Sequence, residues 1–343
     1  MLTERQLLIL QTIIDDFVET AHPIGSRALS NDQTINLSAA TIRNVMADLE
    51  DMGLLEKTHS SSGRIPSQKG YRYYVDNVIS PNMRGQDILS VEHMIQDNLI
   101  ELEQIVQMSA EVLSQLTNYT TIVLGPNTTD ATLKQIQLIA LNPNTAVAIL
   151  VTNTGHVEHK HFTIPSNIHM NDFEKMVNIL NDRLIDIPII ELPIALQTEV
   201  YDLMKKHIQN YEVMFEYIKS VISYEEPTKL FVSGETNILT QPEFKDVDKI
   251  YEFYTMLENE GEMIKLLGNQ HKGIHVSIGQ ENKVEAIKDF SLITSTYSIG
   301  TNQLGTIALL GPTRMKYRKV ISLLQSVSNE MTDLLNLKNK DHL

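Results

Sequence analysis

Two adjacent residues, Arg43 and Asn44, carry the side chains best suited to reading the edge of a DNA base pair. Arginine presents two parallel donors that match guanine O6 and N7, and asparagine pairs its amide with adenine N6 and N7. Ala40 and Thr41 stand just before them, and the Ala40 methyl is small enough to approach a thymine methyl. Downstream, residues 57–75 hold Lys57, Arg64, Lys69 and Arg72 and no acidic residue, in a chain whose formal net charge is −15. Such a local reversal of sign neutralises phosphates and releases their counterions, which drives duplex association. The plain alternative is a solvated charged face.

A second group of residues points elsewhere. His156, His159 and His161 lie close together, with His169 nearby. On a strand His159 and His161 share one face, and neutral imidazole is a common metal ligand. Glu158 is the one carboxylate at ligand spacing and the chain has no cysteine, so the expectation is a solvated strand edge, with no metal and no cofactor. The absence of cysteine excludes disulfides, thiolate zinc sites and cysteine nucleophiles. Phosphate-loop, zinc-protease and serine-hydrolase signatures are missing. Gly125-Pro126-Asn127 and Gly311-Pro312-Thr313 read as turns after strands, and Gly234, Glu235 and Asn237 as a polar turn. No enzymatic activity is expected.

The elements that must present Arg43 and Asn44 can be followed in order. Thr3 and Gln6 form a capping box, and Leu7, Leu10, Ile14 and Phe17 follow at helical spacing. That helix should stop before His22-Pro23. Ser26 is expected to cap a short second helix, whose start, with Arg27, suits a phosphate. Ser38 should cap a third helix that buries Ile42, Val45, Met46 and Leu49 and ends at Gly53. Its outer face near the N-terminal end is then Ala40, Thr41, Arg43 and Asn44, the region a recognition helix turns toward base edges. Strands at 54–58 and 64–66, joined by Ser60-Ser61-Ser62-Gly63, and a helix from about Ser67 bearing Tyr71, Tyr74, Val75 and Val78 complete the pattern. The order is that of a winged helix–turn–helix. Thr41, Arg43 and Asn44 are expected to read bases, while Ser26, Lys57, Lys69 and Arg72 hold phosphate and Arg64 does either. Arg27, Ser38 and Ala40 complete the candidate set.

The rest of the chain is larger and acidic, with 21 basic against 33 acidic residues after Ser80. Ser80-Pro81-Asn82 reads as a linker. Residues 87–117 form a long helical pattern in which Ile88, Ile95, Leu102 and Leu116 recur in heptads, with Val91, Ile105 and Val112 between them; Asn98 and Ser109 interrupt the seam. Either it packs on its own domain or it pairs two copies as a coiled coil. Strand-like runs at 120–124, 133–141, 146–152 and 156–164 come next, the last three as an antiparallel meander. Residues 171–267 are mainly helical, with a short strand at 230–233. Strands return at 273–278, 291–298 and 305–310, and a helix from about 314 to 335 closes the chain. Strands, helices and strands again suggest an α+β domain interrupted by another, within the two or three domains that 343 residues imply. The longest apolar run, residues 146–151, is too short to span a bilayer, and the composition of the first ten residues leads to the expectation of no signal peptide. The expectation is a cytoplasmic protein without a membrane partner.

Several segments resemble one known family. They are Pro23-Ile-Gly-Ser-Arg-Ala-Leu29, Ser38-Ala-Ala-Thr-Ile-Arg-Asn44, Met46-Ala-Asp-Leu-Glu50 and Gly53-Leu-Leu55. Ser61-Ser-Gly-Arg-Ile-Pro66 and Lys69-Gly-Tyr-Arg-Tyr-Tyr-Val-Asp76 continue the series. Later come Ser233-Gly-Glu-Thr-Asn-Ile-Leu239 with Pro242-Glu-Phe244, Ile278-Gly-Gln-Glu-Asn282, Phe290-Ser-Leu-Ile293 and Gly311-Pro-Thr-Arg-Met-Lys-Tyr317. Together these are similar to the heat-inducible transcription repressor family HrcA. The resemblance implies a winged helix–turn–helix at 1–80, a GAF-like α+β domain made of 81–164 and 268–343, and an inserted dimerising domain at 165–267. It also implies a homodimer on an inverted-repeat double-stranded DNA operator, CIRCE, upstream of class I heat-shock chaperone operons. Activity is then promoted by the GroEL chaperonin. The alternative is a repressor gated by a small ligand in the GAF-like domain.

Overall fold

The computed structural model describes residues 2–32, 35–57, 63–79, 102–125, 131–142, 145–153, 157–163, 170–222, 229–268, 271–299 and 303–341. The expected hairpin tip, the linker at 80–82, the first half of the heptad pattern with Ile88, Val91, Ile95 and Asn98, and His156 and His169 lie outside them.

Helix α1 (Glu4–Thr20) opens on the expected capping box. Thr3 Oγ1 accepts the Gln6 N–H at 3.3 Å, and Gln6 Oε1 accepts the Thr3 N–H at 3.0 Å. The helix buries Ile9, Leu10, Ile13, Ile14 and Val18 and ends at Ala21, in the left-handed region just before His22-Pro23. Helices α2 (Ser26–Ser30) and α3 (Ala39–Asp51) follow, and Ile42, Met46 and Leu49 of α3 close the core against α1. Gly53, at φ +73°, turns the chain into β1 (Leu55–Lys57), which pairs antiparallel with β2 (Arg64–Pro66), Lys57 opposite Arg64. On its other edge β2 exchanges two backbone bonds with Ile24. Ser67 caps α4 (Gln68–Asn77) through the Gly70 N–H at 3.0 Å and donates to the Gly53 carbonyl at 2.6 Å. A side chain at Gly70 has no room, since a Cβ there would lie 2.1 Å from the Leu54 carbonyl oxygen. Tyr74 Oη donates to Asp15 at 3.0 Å and ties α4 to α1; burial, then Asp15, pushes its phenol up to about 12.

The chain falls into two compact units, one comprising 1–125, 230–298 and 304–335, the other built on 126–229. Beyond its first four helices, the first unit holds a five-stranded sheet in the order β7-β3-β10-β9-β8. The strands are β3 (Thr120–Leu124), β7 (Leu230–Ser233), β8 (Ile274–Ile278), β9 (Phe290–Ile299) and β10 (Gln303–Pro312). Alternation along the strands puts Ile122, Leu124, Leu292, Ala308 and Leu310 in one core with Phe253, Met256, Met263 and Leu267. Those last four come from helices lying between β7 and β8 in sequence. Ser295 Oγ, of the other β9 parity, meets Ser328 Oγ of the closing helix at 2.9 Å. Helix α5 (Leu102–Thr117) buries Ile105, Val106, Val112 and Leu113 and packs on β3 and β7. The described half of the heptad pattern therefore packs on its own domain. Ser109, which breaks the seam, is buried and bonds back to the Ile105 carbonyl.

The second unit has its own three-stranded antiparallel sheet of β4 (Leu133–Asn142), β5 (Thr145–Thr152) and β6 (Val157–Thr163). One face buries Leu133, Ile136, Ala146, Ala148 and Leu150 against helices between Met170 and Ile222. Asn181 acts as a partial extra strand: its amide accepts the Ile136 N–H at 2.9 Å and donates to the Ile136 carbonyl at 2.8 Å. This division corrects the expected boundaries. The meander belongs with the helices that follow it, and β7 returns to the larger sheet, pairing with β3. Local periodicity shows each strand but not its partner, so consecutive strands were grouped together.

Candidate nucleic-acid interface

Helix α3 exposes the surface the sequence predicts. Ser38 Oγ accepts the Thr41 N–H at 3.2 Å and lies 2.9 Å from the Thr41 hydroxyl, so the first turn is fixed by its own side chains. Ile42 and Leu49 are fully buried on the inner face, while Ala40, Arg43 and Asn44 are exposed and Thr41 is half-buried. Arginine and asparagine thus stand in successive exposed positions on a turn with a packed back and no acidic residue in the first turn, a geometry whose donors and acceptors match base edges in type. Arg27 and Lys57 are also exposed.

The remaining candidates have protein partners. Ser26 does not cap α2. Gly25 occupies that position in extended geometry, and Ser26 is the first helical residue and buried, its place set by carbonyl–amide bonds from Gly25 to Ala28 and Leu29. Arg64 Nε donates to Glu50 Oε2 at 2.7 Å, with Nη2 at 2.6 Å from the same oxygen, and its side chain is 13% exposed. It ties the two-stranded sheet to α3. Lys69 Nζ donates to the Met52 carbonyl at 2.8 Å, at the C-terminal end of α3, where a cation also suits the helix dipole. Its ammonium remains exposed and meets no carboxylate among the described residues. Arg72 departs furthest from expectation. It holds both carboxylate oxygens of Glu281, the Val276 carbonyl and Asp76. The Glu281 hydrogen bond holds the Arg72 guanidinium protonated above its ordinary value. Burial pushes the Glu281 carboxyl up, but Arg72 and the Ile278 N–H outweigh it and hold the group below the usual range.

Glu50, Glu281 and Arg314, which this arrangement depends on, had no local signal of their own. Each acts across a long sequence separation, and only their presence in the family-like segments marked them. Elsewhere, His159 and His161 stand edge to face on β6 with ring centroids 6.0 Å apart, and the described residues contain no group of three metal-ligating side chains. A cavity lined by Asn118, Tyr119, Asn237 and Phe244 in the first unit has a volume of about 10 Å³, room for a single water. Among the described residues no helix is long and apolar enough to cross a membrane.

Comparison with known proteins identifies the family. Residues 103–321 match the family model described as the HrcA protein C-terminal domain. The heat-inducible transcription repressor HrcA of Oceanobacillus iheyensis is 60% identical over 98% of each chain. A crystal structure described as that of a hypothetical protein superposes with TM-score 0.71 at 23% identity, covering 98% of this chain and 99% of that one; the fold is shared. The IclR protein of Thermotoga maritima, 10% identical over 97% of this chain and all of its own, reaches a TM-score of only 0.23. The class is therefore a mixed helix-and-sheet transcription repressor, not an enzyme, and such a repressor acts by binding DNA. The chain belongs to the HrcA family of heat-inducible transcription repressors.

Proposed function

We propose that this chain is a homodimeric repressor of class I heat-shock chaperone operons that binds the inverted-repeat CIRCE operator through a winged helix–turn–helix at its N-terminus. The observation that carries this reading is the exposed row Ala40, Arg43 and Asn44 on a capped helix with a fully buried back. Thr41, Arg43 and Asn44 read base edges from the major groove. Arg27, Lys57 and Lys69 contact phosphate, and the strand pair of β1 and β2 belongs to the wing. Ser38 fixes the first turn, Ser26 and Arg64 shape the module from within, and Arg72 ties it to the sheet. The sheet domain of the first unit is the GAF-like body, and the second unit is the dimerising domain. Two reading helices related by a two-fold axis call for an inverted repeat. The GroEL chaperonin raises the fraction of competent protein in the cytoplasm without altering the intrinsic site affinity.

A gel shift on a chaperone-operon inverted repeat against scrambled DNA, at two salt concentrations and with or without GroEL, tests this. Specific, salt-sensitive retention as a dimer is expected, with GroEL increasing the active fraction. Equal retention of scrambled DNA refutes the reading. Full activity of refolded protein without chaperonin refutes the GroEL part alone.

A further inference from the structure

The segments 278–282 and 311–317 stand out in the sequence yet contribute nothing to the exposed row on α3. In the structure they hold the four-helix N-terminal module against the sheet of the same unit at two places. At the first, Gln68 and Arg72, one turn apart on α4, face the end of β8. Arg72 Nε bonds Glu281 Oε1 at 2.9 Å, and Nη2 bonds both Glu281 Oε2 and the Val276 carbonyl. Glu281 is itself fixed, because Oε2 accepts the Ile278 N–H at 2.8 Å. Gln68 Oε1 accepts the Gln280 N–H at 3.0 Å, beside Gly279, whose φ of +55° shapes that turn.

The second place is the C-terminal end of α1. Arg314 Nη1 donates at 3.0 Å to the Val18 carbonyl, one of the last-turn oxygens that lack a helical partner. The same guanidinium is held by Glu243 and Gln241, and Arg314 is 13% exposed. Next along the chain, Lys316 pairs with Glu19 at 2.6 Å. Tyr71 and Tyr317, each adjacent in sequence to an anchor residue, are both buried with ring centroids 5.7 Å apart. One polar anchor leaves a module free to swivel. Two anchors on different helices, with packed rings as well, do not.

We infer that this double anchor is a specificity determinant, with Glu281 and Arg314 as positioning residues that set the orientation of α3 on the body. In a dimer, a fixed orientation admits one separation and one helical phase of the two half-sites, so the anchor selects operator spacing without touching a base. This rests on the reading of the chain as a dimeric repressor of an inverted repeat. Inserting five base pairs between half-sites moves them by about 17 Å and turns them to opposite sides of the duplex. A rigid pair of heads cannot follow, whereas a swivelling pair can.

The test uses the full-length protein and a duplex selected in vitro for retention by it. Fluorescence anisotropy compares an isolated half-site, the selected inverted repeat, and the same repeat with one to five base pairs inserted. The variants are Glu281→Gln and the double variant Glu281→Gln with Arg314→Met, which loosen both polar anchors while leaving α3 in place. The unmodified chain is expected to lose at least tenfold in affinity on five-base-pair insertion. The double variant is expected to lose less than threefold, with half-site affinity within about twofold of the parent, which also reports that the module is folded. A double variant that keeps the tenfold discrimination overturns the anchor proposal and leaves the repressor reading intact. An unmodified chain that prefers the inverted repeat to the half-site but ignores the insertions overturns the anchor proposal alone, and one that binds the repeat no better than the half-site overturns the dimeric reading as well.

Discussion

Arg43 and Arg64 sit in the same module and carry the same charge, yet the structure places them in opposite environments. Arg43 is exposed on the outer face of α3, whereas Arg64 is mostly covered and places two nitrogens on one oxygen of Glu50. Arg43→Ala removes an exposed side chain and should change folding stability by less than ~0.5 kcal/mol. Its cost should appear in binding. A bidentate arginine–guanine pair is worth about 1–3 kcal/mol of discrimination, roughly 5- to 150-fold in operator affinity, with relaxed preference at one base position. Arg64→Ala should do the reverse. It removes two charge-assisted bonds, but the Glu50 side chain is 32% exposed and can hydrate once freed. The loss is therefore nearer that of a charged hydrogen bond than of a fully buried ion pair, about 1–2 kcal/mol. In a unit of this size that lowers Tm by roughly 2–8 °C. Differential scanning calorimetry and anisotropy on operator and random duplexes, run on both variants, separate the two effects. Equal loss on random DNA for Arg43→Ala would show that it holds phosphate only. An unchanged Tm for Arg64→Ala would refute the assignment of Arg64 to the module's interior.

Three further outcomes follow from specific contacts. Lys57→Ala and Lys69→Ala should each weaken operator and random DNA alike and reduce the salt slope by ~1, measured by titration at several salt concentrations; an unchanged slope removes that lysine from the phosphate contacts. Gly70→Ala should destabilise by about 1–3 kcal/mol in urea unfolding, because the backbone carbonyl 2.1 Å from the new methyl cannot rotate aside. The Glu281 carboxyl titrates below its ordinary value in the folded chain, so its contribution is complete above the unfolded value near 4.5 and is lost as pH falls through the folded value. The Tm difference between the parent and Glu281→Gln should shrink as pH drops from 5 toward 3, and a difference that grows on acidification would contradict the assignment.

The parts legible in the sequence were those governed by short-range rules. Thr3 and Ser38 could be read as caps because a cap needs only its own helix. The inner face of α3 was legible because Ile42, Met46 and Leu49 repeat at helical spacing. Ser26 misled for an instructive reason. Its residue type suits a cap, but the preceding glycine already takes the extended conformation, and the serine side chain is drawn inward. The domain boundaries and the partners of Arg64 and Arg72 were not legible, because they depend on which distant strands and loops come together. A basic cluster with no acid in it looks like free positive charge until Glu50 and Glu281 arrive from elsewhere in the chain.

That correction changes how the repressor must gain its affinity. With Arg64 and Arg72 neutralised by carboxylates, each head offers fewer free cations to phosphate than the sequence suggests, and the body behind it is strongly acidic. Counterion release from one head is then modest, and in the proposed dimer tight binding comes from engaging both heads at once. The gain from the second head depends on geometry: it is large when the heads match the half-sites and vanishes when they do not. The carboxylates that weaken each head are the same ones that order the hairpin and fix α3 on the sheet. Charge given up for contact becomes charge spent on orientation, so discrimination rests on spacing as well as on bases. On that proposal, any factor that raises the fraction of correctly assembled dimers raises apparent operator affinity in proportion, without altering a single protein–DNA contact.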